Sequence, residues 1–143
     1  MIKIADTKEL QEKARLIRHQ VFVIEQGVAE ENEFDQHEAE CRHFLAIEPS
    51  LNIAIGTARW RNTDKGIKLE RFAVLSEFRK TGVGSLLLEA VLSDITQKIK
   101  APSRIYLHAQ TRAANLYLKA GFSETDEVFE ECGIPHILME KQV

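Results

Sequence analysis

The chain has 143 residues, 44% of them apolar, and a formal net charge of −3 at pH 7. That length suits a single domain over residues 1–143 and is too short for two. The mild acidity gives no general attraction to nucleic acid or to an anionic membrane, and no apolar run approaches the ~20 residues of a membrane span. The N-terminus lacks the long apolar stretch of a signal peptide. Cys41 and Cys132 are too few for a disulfide framework, so a reduced, cytoplasmic setting is expected.

Ile2 to Ala5 can form a short first strand. Asp6 or Thr7 can then cap a helix with Glu9 early in it. Leu10, Ala14, Ile17, Val21 and Ile24 recur at three- and four-residue steps, which predicts a helix over residues 8–25 that stops near Gly27. Residues 25–40 then change character, with seven acidic side chains and no Lys or Arg. Such a run ordinarily faces water. The competing reading is an acidic rim that draws in a cationic amine, which helps association more than bound affinity. Cys41, His43 and His37 invite a metal, but Cys-x-His is a short spacing with no second paired cluster after it. No metal is expected, and Cys41 is read as a packing residue.

Residues 44–48 and 53–61 read as strands joined around Pro49 and Asn52. Residues 62–66 form a second turn leading into a strand over 67–75, and these strands should pair as an antiparallel meander. Trp60, near a strand end, is read as packing before substrate contact. A helix follows, with apolar residues at Val83, Leu86, Leu87, Ala90, Val91 and Ile95, widened by Leu88, Leu92 and Ile99. Residues 100–103 break that pattern before a strand over 104–108. Strand, crossover helix and strand should place 67–75 and 104–108 parallel and adjacent. Thr111 can cap a short helix over 112–120, ended by Gly121. Residues 122–131 and 134–139 then make a final hairpin about Gly133 and Pro135.

The loop between the fourth strand and the long helix has its own logic. A helix start leaves backbone N–H groups unpaired and carries partial positive charge. This one has no Asp or Glu before Glu89. Instead Gly82 and Gly84 allow close backbone approach, with Arg79 and Lys80 just upstream. That suits an external anion, most simply a phosphate or pyrophosphate. The alternative is an ordinary turn that needs glycine for its dihedrals. A P-loop is absent, and the dinucleotide fingerprint lacks its third glycine, because Ser85, Leu86 and Leu87 follow Gly84.

Arg79-Lys80-Thr81-Gly82-Val83-Gly84 resembles the Arg/Gln-x-x-Gly-x-Gly/Ala acyl-CoA pyrophosphate loop of the GCN5-related N-acetyltransferases (GNAT). Downstream, residues 113–122, with Tyr117, Gly121 and Phe122, are similar to that superfamily's Ala-x-x-x-Tyr-x-x-x-Gly-Phe segment. Residues 21–28, 41–44, 108–110 and 133–136 extend the likeness to the small bacterial branch called YjcF-like or ElaA-like acetyltransferases, so it covers nearly the whole chain. The resemblance implies an α/β (α+β) fold. Its mixed, mostly antiparallel sheet has six to seven strands, two of them central, parallel and splayed, with about four flanking helices.

The resemblance also implies a chemistry: transfer of the acetyl group of acetyl-CoA to a primary amine of a small molecule or protein, by direct attack in a ternary complex. Backbone groups of Phe72, Ala73 and Val74 would line pantetheine. The loop from Arg79 through Lys80, Thr81, Gly82, Val83 and Gly84 to Ser85 would hold the pyrophosphate. Tyr117 matches the family's general acid for the departing thiolate. An attacking amine must first lose a proton, since a lysine-like amine has a pKa of ~10.4. Glu70 is the first candidate base, because apolar neighbours can raise its pKa; its alternative is an ion pair with a nearby Arg. His108 is the second. Gln110 stands where many members carry Asn, and Asn115 lies two residues before Tyr117; both are candidate coenzyme contacts. Glu25, Gln26 and His43 are expected to wall the acceptor site. Family members often dimerise, so a second copy is a candidate partner. The rival function is an acyl-CoA-binding or sensing module without turnover.

Overall fold

A computed structural model describes all 143 residues. Short connections fold the first half of the sheet as a meander: β1 (Ile2–Ile4), β2 (Arg42–Glu48), β3 (Ile53–Thr63) and β4 (Gly66–Val74) pair antiparallel in that order. Helix α3 (Val83–Lys98) then carries the chain across to β5 (Arg104–Gln110), which lies parallel to β4. The last hairpin, β6 (Ser123–Glu131) and β7 (Ile134–Gln142), inserts β7 beside β5, so the seven strands run β1-β2-β3-β4-β5-β7-β6. This is the mixed, mostly antiparallel sheet expected, with one parallel pair. No helix is long and apolar enough to cross a membrane.

The strands' two-residue alternation sorts their side chains into two cores. Phe44 and Ala46 of β2 join Leu87, Leu88, Val91 and Ile95 of α3 in the larger one. Leu45 and Ile47 face the other way, onto Ala14 and Ile17 of α1 (Lys8–Arg18). The buried stripe of α3 is rotated slightly from the predicted one, and Leu86 is 51% exposed. In its place Asp94 turns inward, accepting from the Trp60 indole at 2.9 Å and from Arg42 at 2.7 and 2.8 Å. Trp60 is thus a core residue whose polar tip is paired.

The predicted helix over 8–25 is not uniform. Thr7 caps it, accepting from the Leu10 N–H at 3.2 Å, but the α-helix ends at Arg18 and His19–Glu25 winds on as a π-helix. Near the other end of the chain, Thr111 makes no cap bond. It opens a short 3-10 turn before α4 (Ala114–Lys119).

In β4 one residue is extra. Thr57 faces Ala73 and Arg59 faces Glu70, so Arg71 and Phe72 together oppose Ala58. This is a β-bulge, with Arg71 in the left-handed region at φ 59°. The bulge reverses the strand's parity. Before it Ile67 and Leu69 face the α3 core; after it Phe72 and Val74 do, and Ala73 joins the α1 side. Just ahead of the bulge β4 also leaves β5. Their parallel pairing covers only Ile67–Ile105, Lys68–Tyr106 and Leu69–Leu107.

The acidic run divides: Glu25, Glu30, Glu31 and Glu40 are exposed, while the other three carboxylates are drawn inward. Within and after the short helix α2 (Glu30–Glu33), Glu33, Asp35 and Glu38 turn inward onto arginines. Arg18, 1% exposed, donates to Glu33 at 2.6 Å and also to Glu38. Arg59, 1% exposed, donates to Asp35 at 2.6 Å and to Glu38 at 2.8 Å. The bulged Arg71 reaches the Glu33 carbonyl at 3.3 Å and Asp35 at 3.2 Å. This network pins residues 33–38 across the end of β4. Removing one partner of a buried ion pair strands the others without charge balance. Arg59→Ala is therefore expected to cost about 3–5 kcal/mol in a denaturant titration, and Arg59→Lys less.

The same network sets a pH dependence. Burial tends to raise the pKa values of Asp35, Glu38 and Glu70, but their arginine partners outweigh it and hold all three below the ordinary carboxylate range. Their stabilisation is complete above the unfolded-state pKa and is lost as pH falls through the lower folded values. His43 is kept neutral chiefly by burial, which lowers its pKa, so the unfolded chain gains its proton first. The thermal midpoint should begin to decline below pH ~6.5 and drop steeply below pH ~4. A midpoint that is flat from pH 7 to 3 in a thermal denaturation series would contradict this.

Candidate active site

The separation of β4 and β5 opens a cleft of about 980 Å³. Its walls bring together residues that are far apart in the chain: Gln26 from the π-helix end, Glu33 and Asp35 from the acidic run, β4 beyond Lys68, the glycine loop, β5 beyond Leu107, and Tyr117 of α4. On the β5 side, the backbone of Phe72, Ala73 and Val74 has no ladder partner. Of these groups the Val74 carbonyl is occupied, accepting from Arg79 Nε at 2.9 Å.

The loop at the cleft mouth leaves a run of main-chain donors unpaired. The N–H groups of Lys80, Thr81, Gly82, Val83, Gly84 and Ser85 have no acceptor in the protein; the first loop-to-helix bond is Leu86 N–H to Gly82 at 3.1 Å. Lys80 (φ 63°) and Gly82 (φ 89°) are left-handed, and such residues curve successive N–H groups into an anion-binding concavity. A Cβ on Gly82 would meet nothing within 4 Å, so glycine is required there by dihedral and not by space. No acidic residue occupies the first turn of α3. Six unpaired donors at the start of a 16-residue helix fit a diphosphate.

The two cations divide their roles. Lys80 is exposed and has no ion-pair partner. Arg79 is committed: its Nε donates to the Val74 carbonyl at 2.9 Å, and its other nitrogens grip Glu25, one at 2.6 Å. It braces the loop against β4 and the π-helix and is not a free phosphate ligand. Glu25, its partner, lies outside the cleft lining and does not wall an acceptor site.

Tyr117 is 5% exposed and lines the cleft, and its hydroxyl has no hydrogen-bond partner in the protein. Phe72 and Phe122 hold its ring edge-on at 5.9 and 6.0 Å. Burial raises its pKa well above the usual tyrosine value, so it is a neutral phenol, able to donate, at any physiological pH. Asn115 points elsewhere: it is exposed on α4 and outside the cleft lining, so the coenzyme contact expected of it is withdrawn. Gln110 does line the cleft. Its amide donates to Gln26 at 2.9 Å, linking β5 to the π-helix across the opening.

The opposite sheet face carries Lys68 and Glu70 of β4 and His108 of β5. Glu70 is not the raised-pKa carboxyl expected. Arg61 donates to it at 2.5 Å, Arg59 stands 3.5 Å away, and together with Lys68 they outweigh burial and keep it ionised below the usual range. The ion pair is its role here. His43 is 2% exposed, bonded through Nε2 to the Glu38 carbonyl at 2.8 Å, and absent from the cleft wall, so it cannot touch an acceptor. Burial also pushes the Cys41 thiol up to about 11, consistent with a packing residue. His108 remains. Its Nδ1 lies 2.9 Å from Glu131, an exposed residue at the end of β6, and its ring meets Phe129 edge-on at 4.9 Å. Glu131 and His136 line the cleft without having been singled out in the sequence. Only the sheet order β5-β7-β6 brings them to His108.

Comparison with known proteins places this geometry. Residues 6–143 match the family model described as an acetyltransferase (GNAT) domain. A Bacillus subtilis protein named as an uncharacterized N-acetyltransferase, YjcF, is 37% identical over 142 residues, covering 96% of each chain. The crystal structure of Escherichia coli ElaA superposes with a TM-score of 0.84 at 26% identity, covering 99% of this chain and 97% of that one. An acyl-CoA N-acyltransferase from Pseudomonas aeruginosa gives a TM-score of 0.82, also at 26% identity, with coverage of 99% and 97%. These matches run along nearly the full length of each chain, and the chain belongs to the GNAT acetyltransferase family.

Proposed function

We propose that this protein is an N-acetyltransferase that moves the acetyl group of acetyl-CoA onto a primary amine of a small molecule or protein, by direct attack in a ternary complex. The observation that carries this reading is the row of six unpaired N–H groups, Lys80 to Ser85, at the mouth of the split between β4 and β5. They hold the diphosphate with Lys80 beside it. The β5-facing edge of β4 at Phe72, Ala73 and Val74 pairs with the pantetheine amides, and a backbone N–H near Val74 polarises the thioester carbonyl. The coenzyme supplies an activated acetyl carbon with sulfur as leaving group. The amine arrives from the sheet face that carries His108. As the N–C bond forms and the C–S bond breaks, the amine proton passes to His108 Nε2 and the Tyr117 hydroxyl proton passes to the departing sulfur. The cleft carboxylates do not themselves form a free anionic rim, because Glu33, Asp35, Glu70 and Glu131 already pair with arginine or histidine.

Thiol release from acetyl-CoA in the presence of an amine panel tests the function. Calorimetry with coenzyme A tests the site alone. Binding without thiol release for any amine would instead favour an acyl-CoA-binding module. Tyr117→Phe is expected to lower kcat about 100-fold or more, the scale of a lost general acid, with coenzyme affinity almost unchanged. Gly82→Val forces a branched residue into a left-handed turn at a cost of about 1–2 kcal/mol. It should raise the Kd for coenzyme A about tenfold in the same titration while leaving the Tyr117 region intact.

A further inference from the structure

Histidine accepts a proton only through a ring nitrogen that does not already carry one, and the structure decides which nitrogen of His108 that is. Nδ1 lies 2.9 Å from Oε1 of Glu131. A carboxylate oxygen only accepts, so Nδ1 must carry the hydrogen of the neutral ring. Nε2 is then a bare lone pair, and His108 lines the cleft. Phe129, edge-on to His108 at 4.9 Å, restrains the ring. The salt-bridge partner holds Glu131 ionised: its hydrogen bond to His108 is the chief cause of a lowered pKa.

The neighbouring histidine does not compete for that carboxylate. His136 Nδ1 is 2.6 Å from the Ile134 carbonyl, so its ring hydrogen is there. Its Nε2 faces the second Glu131 oxygen at 3.7 Å, too far for a hydrogen bond. Phe129 stacks on His136 at 5.8 Å and so packs against both histidines. The titratable groups around His108 and Glu131 are His136 of β7, Tyr106 on His108's own strand with ring centroids 6.2 Å apart, and Lys68, the β4 register partner of Tyr106.

We propose that Glu131 is a positioning residue: it fixes His108 as the Nδ1–H tautomer and thereby presents Nε2 as the proton-accepting nitrogen for the amine. When Nε2 takes the amine proton, the imidazolium that forms is balanced by the same carboxylate, and no proton moves to Glu131. A carboxylate on the far side of a catalytic imidazole plays this part in other acyl-transfer enzymes. Its catalytic consequence rests on the acetyl-transfer reading above; the tautomer itself does not.

Ring-nitrogen NMR on nitrogen-15-labelled full-length protein, with His108→Gln to assign the signal, reads the tautomer in the absence of any substrate. The wild type should show a protonated Nδ1 and a bare Nε2 at His108. Glu131→Ala should shift the ring toward Nε2–H. It should also lower kcat about tenfold or more while leaving the KM for acetyl-CoA almost unchanged. Glu131 is exposed on an edge strand, so this variant should fold. Glu130→Gln, an exposed neighbour without a side-chain bond, should change neither readout. A wild-type His108 protonated at Nε2, or a Glu131→Ala protein with unaltered tautomer or unaltered kcat, would overturn the inference. If wild type acetylates no amine, the function reading fails instead, and the ring spectrum alone still decides whether Glu131 selects the tautomer.

Discussion

The extra residue at Arg71 is the constraint on which the rest of the molecule turns. A strand whose period is two cannot change face without a defect. Here the defect sends Ile67 and Leu69 to the α3 core and, one residue out of phase, Phe72 and Val74 to the same core. The parallel ladder with β5 ends just ahead of it, at Leu69–Leu107. The bulge thus begins the stretch of β4 that lines the cleft and turns Phe72 toward the Tyr117 ring. Its own side chain helps to hold the result, since the guanidinium of Arg71 ties back to Glu33 and Asp35.

The cleft that follows has two chemically different sides. On the α3 and α4 side, apolar packing surrounds a phenol with no partner, and burial keeps it neutral. On the other side nearly every charge is matched. Arg18 and Arg59 lie behind Glu33, Asp35 and Glu38, and Arg61 holds Glu70. A group already paired at short range is a poor proton acceptor, because its charge is stabilised in place. That is why the buried carboxylate on the central strand is a structural anion, while a half-exposed histidine with one nitrogen free is suited to proton transfer. Arg79 follows the same rule, its charge spent on Glu25 and Val74, while Lys80 and the loop's main-chain donors stay unpaired.

Several features were legible before any coordinates. The glycine spacing at Gly82 and Gly84, the absence of an acid in the first turn of α3 and the segment around Tyr117 are local, and local geometry follows from local residues. The meander and the crossover to β5 came from turn chemistry and connection length. The site roles that did not hold are of one kind, although for Glu70 the ion pair had stood as the alternative. Glu25, His43, Glu70 and Asn115 were each assigned a role from residue type and position in the chain. Each was then decided by a partner or a direction: Arg79 for Glu25, the Glu38 carbonyl for His43, Arg61 for Glu70, and an outward helix face for Asn115.

The amino-acid order by itself therefore determined the elements and the glycine turn before α3, because helix periodicity, strand alternation and glycine dihedrals act over a few residues. It also determined that the chain carries a GNAT signature. Tertiary structure alone decided which charged groups are spent and which remain free. His108 and Glu131 are 23 residues apart, Arg79 and Glu25 54 apart, and Gln110 and Gln26 84 apart. The physical reason is range: a hydrogen bond or ion pair acts over about 3–4 Å. Only the assembled sheet, with β7 inserted between β5 and β6, brings such groups that close.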